Sequence, residues 1–410
     1  MNSNAHNERK FNYLFGIINL AAVFCIVWLL WYVFMNPNAI MKLFDPFYGL
    51  SLIMVFLTSI VLMINVADFY PFQVKGSNPI TMGVILVVVS ILLMLFIYYL
   101  IFWNFIGRLG VAYFSPQSIV ASGGIGAEPL NARTIASGAI VYFCTAFLWW
   151  AMFWSIGFGQ WPWINASRGV LAWSRFFAVM FFTVISYAIL FHPVVCQAFY
   201  PAQNKAGVEI WWTFFAGTAC PSFSIGLMFC ILPWFIMSHL LWEGYPWKKL
   251  EKDGQGTFAK GLVTFFGTAI LGVISFIIIL KVMDIFLDEA FVGGQYTDGL
   301  DFRYMHTAEI SVFFMLAAVI LRMYFNNFPN TRGLWPRAII RTIIAIVGGI
   351  LIYLFYYSSA TIFFLGYETG RGHPAATGDT PLAWVILFLS IIMIQEGFFQ
   401  GWPLIKTEGI

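Results

Sequence analysis

Ten continuous apolar runs divide the chain, at residues 11–35, 47–70, 80–106, 134–158, 173–199, 210–241, 258–286, 304–325, 336–357 and 382–399. Each can form a helix long enough to cross a hydrocarbon core about 30 Å thick, which takes about 20 residues. None shows the polar/apolar alternation over about 10 residues that marks a barrel strand, so the runs predict helices. The expected fold is an all-α polytopic membrane protein with ten transmembrane helices. The run at 11–35 is longer than the apolar core of a signal peptide, about 7–15 residues, and no small-residue cleavage site follows it. It predicts a retained span.

The even-numbered runs end alike. Their ends read DFYPFQVKG (68–76), GQWPWINASRG (159–169), EGYPWKKLEKDG (243–254), NNFPNTRG (326–333) and QGWPLIKTEG (400–409), with Pro71, Pro162, Pro246, Pro329 and Pro403 in register at spacings of 91, 84, 83 and 74. The chain therefore reads as five tandem helical hairpins of about 82 residues, at 1–76, 77–169, 170–256, 257–333 and 334–410, in one membrane domain. Proline has no N–H and stops a helix. The aromatic residue before it suits the headgroup level, and the Lys or Arg beyond it suits anionic lipid and a helix C-terminus.

Composition agrees with a chain that lives in lipid: 61% of residues are apolar and 10% charged, against about 25% charged in soluble domains. Of the 21 Lys and Arg, two thirds fall on the side of the N-terminus once ten spans are counted. The positive-inside rule then places both termini in the cytoplasm. The expected location is the cell membrane, the inner membrane in a bacterium. The cysteines, Cys25, Cys144, Cys196, Cys220 and Cys230, form no C-x-x-C pair and read as small packing residues.

Polar positions inside the apolar runs carry the candidate chemistry. Three residues before the prolines stand Asp68, Gly159, Glu243, Asn326 and Gln400, and seven before stand Ile64, Ser155, His239, Arg322 and Glu396. Positions four apart share a helix face, so His239 with Glu243, Arg322 with Asn326 and Glu396 with Gln400 are expected as polar stripes. If those stripes face a common axis, Asp68, His239, Glu243, Arg322, Asn326, Glu396 and Gln400 form a ring that acts as a gate or proton relay. A salt-bridge belt between helices is the structural alternative.

The sixth run is interrupted at GTACPSFSIG (217–226) and again at Pro233. Broken helices are recurrent solute sites in transporters, which makes Pro221, Ser222 and Ser224 candidates for the substrate path. The stretch 281–311 reads as an outer loop. It carries acids and an i, i+3 pair, His306 and Glu309, too few ligands for a metal site. SGGIGAEPLNAR (122–133) lacks the GK[ST] of a phosphate loop, and Asn165-Ala166-Ser167 falls on the expected cytoplasmic side.

No G-x-S-x-G, H-E-x-x-H or Walker motif is present, and the five histidines are too scattered for paired haems, so no catalytic residues, metal or cofactor are expected. The function expected is a secondary transporter or channel for a small polar or ionised solute, with proton linkage as one form of it. The competing class is a membrane-anchor subunit, quinone-reactive in one version, of an associated enzyme. The partners implied are the lipid bilayer and a small-molecule solute; a homo-oligomer is compatible with the pattern, and nucleic acid is not expected. Single cysteines introduced as Ser77→Cys and Asn330→Cys are expected to react only with cytoplasmic reagent, and Asp298→Cys only with external reagent. External labelling at position 77 would reverse the orientation.

Overall fold

The computed structural model describes residues 13–38, 40–43, 48–72, 74, 76–109, 111–123, 127–191, 219–286, 300–330, 333–366 and 381–403. Among the described residues ten helices are long and apolar enough to span a membrane: α1 Tyr13–Met35, α2 Tyr48–Val66, α3 Pro79–Ile106, α4 Pro129–Gly157, α5 Arg168–Leu190, α6 Ser222–Leu240, α7 Phe258–Phe286, α8 Tyr304–Phe325, α9 Leu334–Tyr356 and α10 Pro381–Phe398. As helices, α6 and α8 already begin at Ala219 and Leu300. No strand occurs among the described residues. Local signals set several starts. Asn78 accepts from the backbone N–H groups of Ile80 and Thr81, and Pro79 occupies the first helical position of α3, where its missing N–H has no helical partner to lose.

One sequence expectation needs correction. The stretch 281–311 is not one solvated loop. Helix α7 continues to Phe286 and the next helix starts at Leu300, so His306 and Glu309 belong to a span. Asp288, Glu289 and Asp298 lie outside the described residues, as do His192 and Cys196.

Burial alternates along the chain. In the even helices 61–78% of the spanning window is buried, against 17–28% in the odd ones. The even helices form an inner ring closed in chain order, with α2 against α4, α4 against α6, α6 against α8, α8 against α10 and α10 back on α2. Each odd helix covers a groove of that ring from outside. Helix α5 sits over α4 and the end of α2, α7 over α6 and the end of α4, α3 over α2 and the end of α10, and α1 over α10 and α8. An outer helix therefore packs chiefly on the two inner helices that precede it around the ring, with α1 and α3 reaching back to α10, and not on the inner helix that follows it in the chain. One line of residues every three or four positions is buried on each, such as Gly16, Asn19, Val23 and Val27 on α1. The remaining faces, for example Phe177 and Phe181 on α5, stay exposed and apolar for lipid.

All five inner helices end in one backbone conformation. The residue three before each proline is left-handed: Asp68 (φ 48°), Gly159 (59°), Glu243 (58°), Asn326 (48°) and Gln400 (54°). At four ends the next N–H donates to the carbonyl six residues back, Phe69 to Met63, Gly244 to Ser238, Asn327 to Leu321 and Gly401 to Gln395. That is the Schellman closure of a helix. The aromatic residue then donates to the carbonyl three back at all five, Tyr70, Trp161, Tyr245, Phe328 and Trp402, and the peptide bond to the following proline is cis in each. The left-handed residue turns the chain off the helix. Asp68, Glu243, Asn326 and Gln400 therefore lie past the helix ends and do not continue the faces of Ile64, His239, Arg322 and Glu396, contrary to the expected i, i+4 stripes.

Cations from the outer helices reach carbonyls at these ends. Arg175 of α5, buried, donates to the Asn65 carbonyl. Lys260 of α7 donates to Ile156 at 3.4 Å and pairs with Glu251 at 2.8 Å. Arg341 of α9 donates to Asn327 at 2.6 Å, to Leu241 at 3.2 Å, to the Asn330 side chain at 2.7 Å and to Glu243 at 3.0 Å. Arg168, at the start of α5, donates to Asp68 and Phe72, both at 2.9 Å. Arg168 and Lys260, which the sequence assigns to anionic lipid or a helix C-terminus, thus cap helix C-termini together with Arg175 and Arg341; the last carbonyls there have no partner in the helix.

Glu243, outside the spans, accepts from Arg341 and from Arg337 at 2.6 Å. Burial pushes its carboxyl up, but the hydrogen bonds and charges of Arg341 and Arg337 outweigh this and hold it below the ordinary value of 4.5. A carboxyl so lowered contributes stability that is present above its unfolded value and is lost as pH falls through the folded one. The thermal midpoint is therefore expected to drop as the pH is taken below 4.5, and Glu243→Gln to flatten that limb. Arg341→Met strips the donor from two carbonyls, about 1–3 kcal/mol for each that is left unsatisfied. It is expected to lower Tm more than Arg337→Met, whose parent side chain is 28% exposed; equal losses would show that the carbonyl caps contribute nothing.

Candidate functional site

A cavity of about 360 Å³ lies on the axis of the inner ring and is lined by all five inner helices. Its walls follow the proline register. Ten residues before the prolines a layer is formed by Val61, Met152, Ile236, Val319 and Met393. Fourteen before, the layer is Leu57, Leu148, Leu232, Met315 and Leu389. Deeper still the wall reaches Met54, Thr145, Met228 and Ile386, all buried, and the lining stops there. At a rise of about 1.5 Å per residue the cavity runs roughly 15 Å from its polar end to this floor, about half a bilayer core.

The polar end is the layer seven before the prolines. Ile64, His239, Arg322 and Glu396 line it, whereas in α4 the lining residue is Ile156 and not its neighbour Ser155. Asn65 lies beside Ile64 and donates from Nδ2 to Ser155 Oγ at 3.3 Å. Arg322 and Glu396 are exposed into this end of the cavity. They sit on neighbouring helices, and no ion pair joins them among the described residues. His239 Nδ1 is 3.1 Å from the Phe235 carbonyl. Among the described residues, the buried atoms Asn65 Oδ1 and Trp149 Nε1, both on lining residues, have no hydrogen-bond partner. A wall of thioethers and branched aliphatics with a few convergent polar groups at one end is the usual composition of a small-molecule site.

The expected site residues separate into three groups. His239, Arg322 and Glu396 come together at the cavity. Asp68, Glu243, Asn326 and Gln400 do not line it, because each lies past the helix end: Glu243 faces Arg337 and Arg341, and Gln400 donates to the Val74 carbonyl at 3.1 Å. The third group, Pro221, Ser222 and Ser224, sits in α6 directly after a stretch, 192–218, that lies outside the described residues. The side chain of Pro221 lies outside the described residues as well. Ser222 is buried, and Ser224 donates to the Leu190 carbonyl at 2.7 Å. Neither serine belongs to the cavity lining.

His306 and Glu309 are 1% and 7% exposed, and His306 Nδ1 lies 2.6 Å from Glu309 Oε2. The other ring nitrogen is 3.1 Å from the Tyr353 hydroxyl of α9. The i, i+3 pair is thus a buried contact between α8 and α9, beyond the floor of the cavity. Among the described residues no group of three or more His, Cys, Asp or Glu could hold a metal. Asn65, Thr145 and Trp149 were not singled out by the sequence. The two apolar layers were within reach, since the proline alignment that marks the polar level marks them as well.

No protein-family model, no curated protein and no solved structure matches this chain.

Proposed function

We propose that the chain is a transporter or channel for a small polar or ionised solute, entered at the level of Arg322 and Glu396 and passing along the axis of the inner ring. The five tandem hairpins, cytoplasmic termini and a location in the cell membrane belong to the same proposal. Tandem two-helix repeats all insert in one direction, so their pseudo-symmetry axis runs along the membrane normal. Five equivalent helices then surround a path through the bilayer. The observation that carries the reading is the cavity to which every inner helix contributes the same register positions. Ionised side chains within the membrane are costly and mark solute or ion pathways when they face a cavity.

An anchor subunit needs an outward surface for its enzyme and has no use for an axial cavity shared equally by five helices. The wall below the charged level is apolar, and it closes at Met54, Thr145, Met228 and Ile386. In the proposed cycle this floor must open or rearrange toward the opposite face. Apolar constrictions can gate by excluding water.

The test is solute-driven swelling of proteoliposomes, with amino acids, carboxylates, amines and polyols as probes. Leu232→Trp fills the cavity and is expected to cut flux about tenfold, equivalent to about 1.4 kcal/mol of barrier. Leu232→Ala widens it and is expected to preserve or raise flux. Flux left unchanged by Leu232→Trp in a protein of parental thermal midpoint would sink the axial path. Co-purification of a soluble enzyme in place of any flux would favour the anchor.

A further inference from the structure

The polar end of the cavity presents two opposite charges side by side. Arg322 of α8 and Glu396 of α10 are on adjacent inner helices at the same register, both exposed into the cavity, with no ion pair joining them among the described residues. On the other flank of Glu396 lies α2, whose Asn65 Oδ1 is a buried acceptor without a partner. Immediately below begin the Val61 and Leu232 layers, which hold no ionisable group.

A solute with one charge would satisfy one of these side chains and leave the other facing low dielectric uncompensated. A neutral solute would leave both. A solute carrying a carboxylate and an ammonium on adjacent atoms satisfies both at once, through charge-assisted hydrogen bonds to guanidinium and carboxylate. Asn65 Oδ1 then supplies a further acceptor for the ammonium. The rest of the solute points down the axis against Leu, Met, Ile and Val, where apolar area is worth about 25 cal/mol per Å². The volume of about 360 Å³ has room for a large apolar side chain.

We propose that the cavity binds an amphipathic zwitterion of the α-amino-acid type, its carboxylate on Arg322, its ammonium on Glu396 and Asn65, and an apolar side chain in the leucine and methionine layers. The proposal rests on the cavity being the solute path and adds the class of solute.

Calorimetric titration of the purified full chain in detergent, with three probes, tests it. L-Leucine carries both charges, 4-methylpentanoate lacks the ammonium and 3-methylbutylamine lacks the carboxylate. L-Leucine is expected to bind at least about tenfold more tightly than either analogue, a difference of about 1.4 kcal/mol. Glu396→Gln should weaken L-leucine and tighten 4-methylpentanoate, which no longer leaves a carboxylate uncompensated; Arg322→Gln should weaken L-leucine and tighten 3-methylbutylamine for the same reason. Thermal melts of both variants confirm folding, and Asn65→Ala, which alters no charge, should weaken only the two probes that carry an ammonium. Equal affinity for all three probes, or no binding by any, overturns the zwitterion. If none binds while Leu232→Trp still blocks flux of another solute, the class of solute falls and the axial path stands. If L-leucine binds in the expected pattern while Leu232→Trp leaves its flux intact, the site stands and the path falls.

Discussion

The last carbonyls of the inner helices have to be satisfied at the edge of a low-dielectric core, and the fold is organised around how that is done. A helix leaves its final carbonyls unpaired, and each one left so when buried costs about 1–3 kcal/mol. Here the Schellman closures take some of them. Arg175, Lys260 and Arg341 take others, reaching in from the outer helices α5, α7 and α9 to the ends of α2, α4 and α6. The same bonds therefore end α2, α4 and α6 and pin α5, α7 and α9 beside them. Without the caps, these three outer helices would be held by little more than one narrow stripe of small and apolar residues each, because lipid competes equally well for their other faces.

Once the outer helices are pinned in this way, the inner ring is shielded from lipid and its centre becomes a distinct environment. The inner faces still carry mostly Leu, Met, Ile and Val, so close packing could have filled the axis. It does not: a cavity remains, with charged side chains at one end and a buried, uncharged floor at the other. A second polar cluster, His306 with Glu309 and Tyr353, lies away from the axis between α8 and α9. It ties an outer helix to an inner one at the opposite end from Arg341. The protein thus uses ionisable side chains in two ways within the membrane, in direct contact between the rings for cohesion and, among the described residues, without a direct ion pair at the axis.

Much of this was legible in the residues, and what was missed had physical causes. The left-handed residue before each aromatic-proline pair lies beyond what a helical wheel describes, so Glu243, Asn326 and Gln400 were placed on faces that end before reaching them. His306 and Glu309 fall both in the apolar run 304–325 and in the acidic stretch 281–311, and the structure puts them in the helix Leu300–Phe325.

The number of spans and the register of the five terminators follow from the sequence alone, because a bilayer requires about 20 apolar residues per helix and proline, aromatic and basic residues each act locally. Which helices lie inside does not follow. Hydropathy hints at it, since α3 at 3.1 is more apolar than α4 at 1.6, but α5 at 1.6 is an outer helix too. Lipid and protein interior are nearly equally apolar, so a leucine reads the same on either side of α6. Only the packing of helices distant in the chain decides that Arg341 caps a carbonyl, that Glu243 faces two arginines, and that Arg322 and Glu396 share one cavity.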